Sequence, residues 1–365
     1  MVLMTEQVRP QETQPTPEQL LQAGSELLQH FAVEVSPTEQ PEQFLEAMAQ
    51  LDPRYQGGRE LVRFELEADQ TEWDEETKAV IMRTAESMRM LEAETPLTGN
   101  FDAVIVLGGA RQSSLDRTRY AVEAAKDGAA NIKQLIVAGS SRELNEAEQK
   151  ATENYAAGAT TEFELCVGAA KTAAQENHGL VASVMYVEDR KAGTPAVIEK
   201  VLATLQANGS LREGARIAAV TTQIYQASTE LDLDRVAKQF GVAETFTAGN
   251  PSDPNVAANR TPATYLSEVL RTLKAATNAA QAEKEYVVQQ AKNADETKAA
   301  RQAENARKYE QSRERGEKIL LMLKDGSEIT QVELRDDEGE VRGYGSLMYR
   351  DPEGKSSIIH GVQYP

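Results

Sequence analysis

Cysteine is nearly absent from this sequence. Cys166 is the single cysteine among 365 residues, so no internal disulfide can form and nothing indicates an oxidising compartment. Histidine is scarce as well, because His30, His178 and His360 lie in separate regions without the spacing of metal ligands. The sequence therefore predicts a protein with neither a structural disulfide nor a metal site.

Long hydrophobic runs and excess positive charge are missing too. No stretch approaches the roughly 20 apolar residues of a membrane span, and the opening MVLMTEQVRPQETQPTPEQ lacks the basic and apolar segments of a secretory signal. The chain has 39 Lys and Arg against 58 Asp and Glu, a formal charge of −19. Because phosphate backbones and anionic lipids need clustered Lys and Arg, we expect a cytoplasmic protein that binds neither nucleic acid nor a membrane.

Several familiar catalytic motifs are also absent. The sequence has no G-x-x-x-x-G-K-[ST] loop, no G-x-S-x-G elbow and no H-E-x-x-H pair, and Gly108-Gly109 does not extend to G-x-G-x-x-G. These absences count against a P-loop NTPase, an ordinary serine hydrolase and an ordinary NAD dehydrogenase. The sequence leaves open whether the protein catalyses a reaction.

What is present is a regular alternation of apolar runs and helical patterns over residues 101–250. The runs are DAVIVL, KQLIVA, LVASVMYV, RIAAVT and AETFTA, and helical patterns begin near Leu115, Thr161, Thr194 and Tyr225. Apolar runs with little polar alternation are typical of strands buried on both faces, and their alternation with helices indicates a parallel sheet. The predicted fold class is α/β, with a three-layer, Rossmann-like parallel sheet.

A helical region precedes this domain. Residues 1–16 hold too little apolar surface to fold and are predicted to be disordered, whereas residues 17–98 carry helical patterns. The first helix has Thr16 as its N-cap and Pro17 at its first position. The last shows an apolar stripe at helical spacing. That stripe consists of Ile81, Ala85, Met88 and Leu91.

Two further regions follow the α/β domain. Residues 276–316 are almost wholly polar at helical spacing, which predicts a long solvated helical spacer. Residues 317–365 hold four candidate strands joined by turn signals, which predict a small antiparallel β unit. Because so small a unit is marginal alone, we expect it to bind a protein partner or a second copy of the chain.

Polar residues follow each apolar run, where the carboxyl ends of parallel strands meet. Glycines let a ligand approach the backbone, helix N-termini attract anions and arginines bind phosphate or carboxylate in a fork. Each turn alone also has a structural interpretation, because such turns favour Gly, Ser, Thr and Asn. Together they predict a site for an anionic small molecule. Its candidate residues are Gly108, Gly109, Arg111, Arg117, Gly139, Ser140, Ser141, Arg142, Glu143, Glu188, Thr221, Thr222, Gln223 and Asn250.

Carboxylates near these turns have two interpretations. Glu143, Glu148, Glu188 and Asp189 suit a general base or a magnesium ligand, but on so acidic a chain they equally suit solvated surface. If the protein is an enzyme, Glu143 or Glu188 is the expected acid–base residue. Cys166 is interpreted as a small core residue on a helix face, since no histidine is near it in the sequence.

The motifs of this region resemble a known bacterial family. DAVIVLGGA, the helix with Arg117 and Tyr120-Ala121, IKQLIVAGSSREL followed by Glu148, VED before Gly193-Thr194-Pro195, and AAVTTQIYQAS are similar to the YdcF-like family, which includes SanA and ElyC. The resemblance covers about residues 101–275, so residues 99–275 are expected to form a YdcF-like domain. It implies a Rossmann-like pocket for a nucleotide-like ligand, with S-adenosylmethionine as one candidate. By position, the pocket is implied at Gly108, Gly109, Gly139, Glu148, Glu188, Thr194, Thr221 and Thr222.

The chain departs from the family pattern at two motifs. Thr194-Pro195-Ala196-Val197 stands where the family often has T-x-E-N, and VTTQIYQAS stands where it often has V-T-S-x-x-H-x-x-R. Tyr225 and Ser228 thereby replace a His and an Arg. Two hypotheses follow. The first is a protein that binds an anionic, nucleotide-like molecule through the glycine turn and Arg111 or Arg142. The second is a catalytically degenerate family member that acts as an assembly or adaptor protein through its terminal regions.

Overall fold

A computed structural model describes residues 15–53, 73–177, 182–187, 193–251 and 260–314 and, further along the chain, 317–322, 328–335, 338, 341–350, 352 and 356–358. The chain divides into two compact units, residues 1–283 and 284–365. The disorder predicted for residues 1–16 falls almost wholly outside the described residues. The finer domain boundaries expected from composition stay predictions.

The first unit alternates helices and strands along most of its length. Its elements are α1 (Pro17–Ala23), α2 (Ser25–His30), α3 (Pro41–Leu51), α4 (Glu75–Ser87), β1 (Gly99–Phe101), β2 (Ala103–Leu107), α5 (Ser113–Lys126), β3 (Ala130–Ile132), β4 (Leu135–Ser140), α6 (Glu146–Thr152), α7 (Glu162–Glu176), β5 (Ala182–Val187), α8 (Thr194–Ala207), β6 (Arg216–Thr222), a 3₁₀ turn (Gln223–Tyr225), α9 (Gln226–Lys238), β7 (Glu244–Asn250) and α10 (Pro262–Glu314), which continues into the second unit.

Five of these strands form a parallel sheet in the order β5-β4-β2-β6-β7. The register aligns Val106 of β2 with Val137 on one side and Val220 on the other. β1 and β3 form a separate parallel pair, just before β2 and β4 in the chain. The prediction of a Rossmann-like parallel sheet is confirmed, although the short elements β1, β3 and α6 were not expected.

Helices cover the sheet on both faces, which explains why the strands are almost uniformly apolar. On one face, Val104 and Val106 pack with α5 and α7. On the other, Ile105 and Leu107 pack with α8 and α9. Alternate residues of each strand therefore belong to different hydrophobic cores, and the three-layer arrangement follows from that alternation.

The N-terminal helices form a third core with the beginning of α10. Thr16 caps α1 through a reciprocal capping box with Gln19. Buried residues of α1 to α4 meet Ile224 of the 3₁₀ turn and Leu266 of α10. The helical region thus packs on the element that follows β6.

The stripe predicted for the last N-terminal helix is wrong at one position. Ile81, Ala85 and Met88 are buried, but Leu91 is 41% exposed and Met90 is buried instead. The cause is local, because α4 ends at Ser87 and Arg89 takes a left-handed backbone with φ 62°. Helical spacing no longer applies once the helix has ended.

The second unit contains a small antiparallel sheet. Its strands are β8 (Glu317–Met322), β9 (Glu328–Arg335), β10 (Val341–Arg350) and β11 (Ser356–Ile358), in the order β11-β10-β9-β8. This agrees with the antiparallel unit predicted for the tail. Within the described residues, no helix is long and apolar enough to span a membrane.

Candidate functional site

The strand order locates a topological switch point between β2 and β6. The chain runs from β2 outward through β4 to β5, then returns to the other side of β2 for β6 and β7. In open α/β sheets, ligands bind beyond the carboxyl ends of the strands at such a reversal. The residues that follow β2 and β6 are therefore the first to consider.

Arg117 of α5 joins these two strand ends. Its guanidinium donates from Nη1 to the carbonyl oxygens of Leu107 at 2.8 Å and Gly108 at 2.7 Å. Nε donates to Thr222 Oγ1 at 3.1 Å. The residue is buried, with 4% exposure. Three of the predicted site residues, Gly108, Arg117 and Thr222, are therefore in direct contact across the switch point.

The glycine turn after β2 uses its own amides internally. Gly108 N donates to Ala138 O at 2.7 Å, and Gly109 N donates to Ser114 Oγ at 3.0 Å. A methyl group on Gly108 would lie 2.9 Å from Ala138 O and 3.1 Å from Cys166 Sγ. Close packing against neighbouring elements is enough to explain the glycine here.

Gly139, at the end of β4, has the same explanation. A methyl group on Gly139 would lie 2.7 Å from Cys166 Sγ and 2.9 Å from Phe163 Cα. Cys166 itself is fully buried on α7, and this burial raises the pKa of its thiol to about 12. The interpretation of Cys166 as a core residue fits this position.

Arg111 occupies the turn between Gly109 and α5. Its backbone has φ 53°, a conformation that a non-glycine residue seldom adopts. Tyr155 donates its hydroxyl to Arg111 O at 2.6 Å, and burial raises the pKa of that tyrosine. The surrounding structure therefore holds the backbone of Arg111 in place next to the switch point.

The predicted residues around the end of β4 form a separate network. Ser140 donates to Glu162 of α7 through both its amide and its hydroxyl. Arg142 makes a two-pronged ion pair with Glu148 at 3.1 and 3.2 Å. Glu148 also accepts from Asn145 N and completes the capping box of α6. The charge of Arg142 is thus paired with the carboxylate of Glu148 on α6, the helix that follows its loop.

Ser141, Glu143 and Glu188 are the remaining predicted residues on this side of β2. Ser141 donates its amide to Val187 O at 3.1 Å, which ties the ends of β4 and β5 together. Glu143 is exposed and pairs with Thr161 through a short antiparallel bridge. Glu188 and Asp189 lie outside the described residues. Among the described residues, no group of three or more His, Cys, Asp or Glu is arranged to hold a metal ion.

The ends of β6 and β7 are covered by the segment that follows α4. Gln223 donates from Nε2 to Arg89 O at 3.1 Å, and Thr95 forms an antiparallel bridge with Gly249. Thr221, Gln223 and Asn250 are all buried. Asn250 lies beside Thr222 in the sheet, and its Oδ1 has no hydrogen-bond partner among the described residues. The hydrogen bond from Gln223 to Arg89 O therefore joins the turn after β6 to the segment that follows α4.

Tyr225 and Arg271 extend the switch point beyond the predicted residues. The guanidinium carbons of Arg117 and Arg271 lie 5.7 and 5.6 Å from the centre of the Tyr225 ring. Arg271 also donates from Nη2 to Thr194 Oγ1 at 2.7 Å. Thr194 opens α8, so this contact connects another predicted residue to the cluster. We call Arg117, Thr194, Thr222, Tyr225 and Arg271 the arginine–tyrosine cluster.

Sequence reasoning missed Arg271 and gave Tyr225 no role in binding. Arg271 lies on α10 between the buried residues Leu270 and Thr272, after the last strand of the parallel sheet. The signal that could have found it is a cation inside the apolar pattern Tyr265, Leu266, Val269, Leu270, Leu273.

Part of the chain is similar to proteins of two mycobacterial species. Over 93 residues the chain is 38% identical to Uncharacterized protein Mb3814 of Mycobacterium bovis and to Uncharacterized protein Rv3785 of Mycobacterium tuberculosis. The match covers 26% of this chain and 26% of each relative, so it spans only about a quarter of their length. No family model and no solved structure matches the chain.

Proposed function

We propose that the protein is a cytoplasmic, YdcF-like α/β protein that binds an anionic, nucleotide-like small molecule at the carboxyl ends of its parallel strands. The observation that supports the proposal is the topological switch point between β2 and β6, where the buried Arg117 joins the two strand ends. Arg111 lies on the neighbouring turn and supplies a second cation. S-adenosylmethionine or another nucleotide-like molecule is the candidate ligand, and the proposal names no reaction.

The test is a thermal-shift screen of the full chain. The panel contains S-adenosylmethionine, its demethylated product, nucleotides, sugar nucleotides and small phosphates, each with and without magnesium. A compound at about 100 times its dissociation constant adds about 2.7 kcal/mol to the free energy of unfolding. For a unit of this size that corresponds to a rise in melting temperature of about 5 °C. No shift with any compound would contradict the proposal.

A substitution at Arg111 tests whether the turn after β2 contacts the ligand. Arg111→Asn removes the guanidinium and keeps a residue that tolerates a left-handed backbone. We expect it to weaken binding of the compound found in the screen by about 10- to 100-fold, because a hydrogen bond to a charged group contributes about 1.5–3 kcal/mol. Unchanged affinity would remove Arg111 from the site.

Arg89 offers a matched control for that substitution. It is the same residue type, also has a left-handed backbone, with φ 62°, and follows α4 instead of β2. Arg89→Asn changes the charge and the backbone preference in the same way. We expect it to leave the affinity for the compound unchanged, so that a loss confined to Arg111→Asn reports a contact with the ligand.

A second candidate function is that of an assembly or adaptor protein, favoured by the small sheet of the second unit. β8 and β11 are the outer strands of its order, and outer strands offer unpaired backbone groups to another chain. Light scattering of the full chain over a range of concentrations tests self-assembly. A constant monomer mass would contradict assembly through a second copy and leave a different protein as the partner to seek.

A further inference from the structure

Arg271 differs from Arg117 in where its guanidinium lies. Arg117 is buried and bonded to two backbone carbonyls, a role that holds strands β2 and β6 together. The Arg271 side chain is 29% exposed, and its shortest contact is with the neutral hydroxyl of Thr194. A cation in such a position can reach both the protein and a molecule in solvent.

Two features hold Arg271 in place. The Tyr225 ring lies 5.6 Å from its guanidinium carbon, within the range of a cation–π contact. Its neighbours Leu270 and Leu273 are buried in the core that α10 shares with the N-terminal helices. The side chain therefore projects from a rigid helix onto an aromatic surface, which lowers the entropy that binding would cost.

The acidic neighbours of Arg271 do not use all of its hydrogen-bond donors, because Nη2 of its guanidinium donates to Thr194. Glu268 Oε2 is 3.7 Å from Nη1, which is an ion pair but too long for a hydrogen bond. Asp232 of α9 is buried, and burial raises its pKa even though Arg271 and Arg235 oppose that rise. Nη2 points instead to Thr194, at the beginning of α8, where Gly193 offers no side chain to cap the helix.

We propose that Arg271 binds a phosphate group of the ligand together with Thr194, and that Tyr225 positions the Arg271 guanidinium for it. This inference rests on the proposed function and gives it a substrate class, a phosphorylated compound, which excludes S-adenosylmethionine because that molecule carries no phosphate. A planar fork with a neighbouring hydroxyl suits the several oxygens of a phosphate. The site takes its anion-binding residue from α10, outside the alternating strands and helices that carry the other candidates.

The experiment measures binding of three probes to the full chain: adenosine, adenosine monophosphate and inorganic pyrophosphate. We expect the wild-type protein to bind the two phosphate-bearing probes and to bind adenosine at least tenfold more weakly. Tighter binding of the monophosphate than of pyrophosphate would identify a nucleotide as the source of the phosphate. The reverse order would identify free pyrophosphate. Equal binding of adenosine and its monophosphate would overturn the phosphate assignment.

Substitutions separate the roles of the two residues. Arg271→Met should weaken phosphate-probe binding by about 10- to 100-fold, the equivalent of one hydrogen bond to a charged group. Tyr225→Leu should weaken it by about threefold to tenfold through loss of the cation–π contact. Tyr225→Phe keeps the ring and should restore the affinity lost in Tyr225→Leu. A Tyr225→Phe variant as weak as Tyr225→Leu would overturn the positioning role.

Arg235 provides the matched control. It also pairs with an acid three residues away, Asp232 at 3.6 Å, but it belongs to α9. We expect Arg235→Met to bind the probes as the wild type does. If Arg271→Met does not fold, Arg271→Lys replaces it, because lysine keeps the charge and loses the fork.

The outcomes distinguish this inference from the proposed function. A wild-type protein that binds no compound of the nucleotide panel contradicts both. A wild-type protein that binds a phosphate probe, with an Arg271→Met variant of equal affinity, overturns this inference alone. A loss confined to the Arg271 and Tyr225→Leu variants supports both.

Discussion

Replacing Arg117 by methionine tests whether this residue holds the two halves of the sheet together. Methionine keeps an unbranched side chain but makes none of the three hydrogen bonds to Leu107 O, Gly108 O and Thr222 Oγ1. Two backbone carbonyls in the interior then lose a donor. Since buried polar groups are costly without partners, we expect a large loss of stability.

The contacts set the size of that loss. A hydrogen bond from a charged donor contributes about 1.5–3 kcal/mol. The two carbonyl bonds share the single nitrogen Nη1, so we count them as one strong bond beside the bond from Nε. Relief from burying a charge offsets part of the total. The expected decrease in the free energy of unfolding is about 3 kcal/mol, or about 5 °C in melting temperature for a unit of this size.

Fluorescence of Trp73 is the assay. It is the chain's single tryptophan, it belongs to the first unit, and its ring makes an edge-on contact with Phe31 at 6.1 Å. Thr222→Val is the control, because it removes only the bond from Nε and should cost about 1.5 kcal/mol. An Arg117→Met variant no less stable than Thr222→Val would refute the assignment of Arg117 as the link between β2 and β6.

Three further predictions concern buried groups. Gly139→Ala should cost about 1–3 kcal/mol because its methyl group would overlap Phe163, whereas Gly193→Ala, which meets only an ordinary contact, should cost less than half as much in the same melt. Burial raises the pKa of the Glu230 carboxyl above its usual value of 4.5, so the folded state binds the carboxyl proton more tightly than the unfolded state does. The free energy of unfolding therefore falls as the pH rises from 4.5 through the pKa of the folded state. Glu230→Gln should therefore melt higher than wild type at pH 7, and lose that advantage below pH 4.5. Cys166 should resist a thiol reagent until the protein is unfolded with urea, since burial raises its pKa to about 12.

Most of the α/β architecture could be predicted because its signals are local. Each buried strand needs apolar residues on both faces, and each covering helix needs one apolar stripe, so the alternation is visible in the sequence. The elements that escaped prediction are short. α6 (Glu146–Thr152) spans two turns, and β1 and β3 have three residues each, too few for a periodic pattern.

The roles of individual glycines could not be predicted in the same way. Gly108 and Gly139 were expected near a ligand because glycine lets a backbone approach another group. The neighbouring groups proved to be protein atoms, among them Cys166 Sγ for both residues. The sequence indicates that something lies close to each glycine, but only the packing of α7 on the strand ends identifies it.

The location of the switch point required the strand order, which local patterns do not contain. From local patterns alone the five strand ends are equivalent candidates, and Arg142 is one of three candidate arginines beside Arg111 and Arg117. The order places Arg117 at the reversal, and side-chain contacts then separate the two arginines. Arg142 is paired with Glu148 of α6, the helix that follows its loop, whereas Arg117 crosses from β2 to β6.

The strongly negative charge of the chain is compatible with a small anionic ligand, although it disfavours a large polyanion. A nucleic acid contacts a broad surface, so it would meet many of the 58 acidic side chains at once. Beyond about 10 Å, salt screens most of the repulsion between exposed charges. A small molecule at the arginine–tyrosine cluster would meet Arg117 and Arg271 within that distance, in a partly buried setting where attraction is screened less. On the proposed function, the composition therefore limits the size of the anion, and the local arrangement of arginines would determine where it binds.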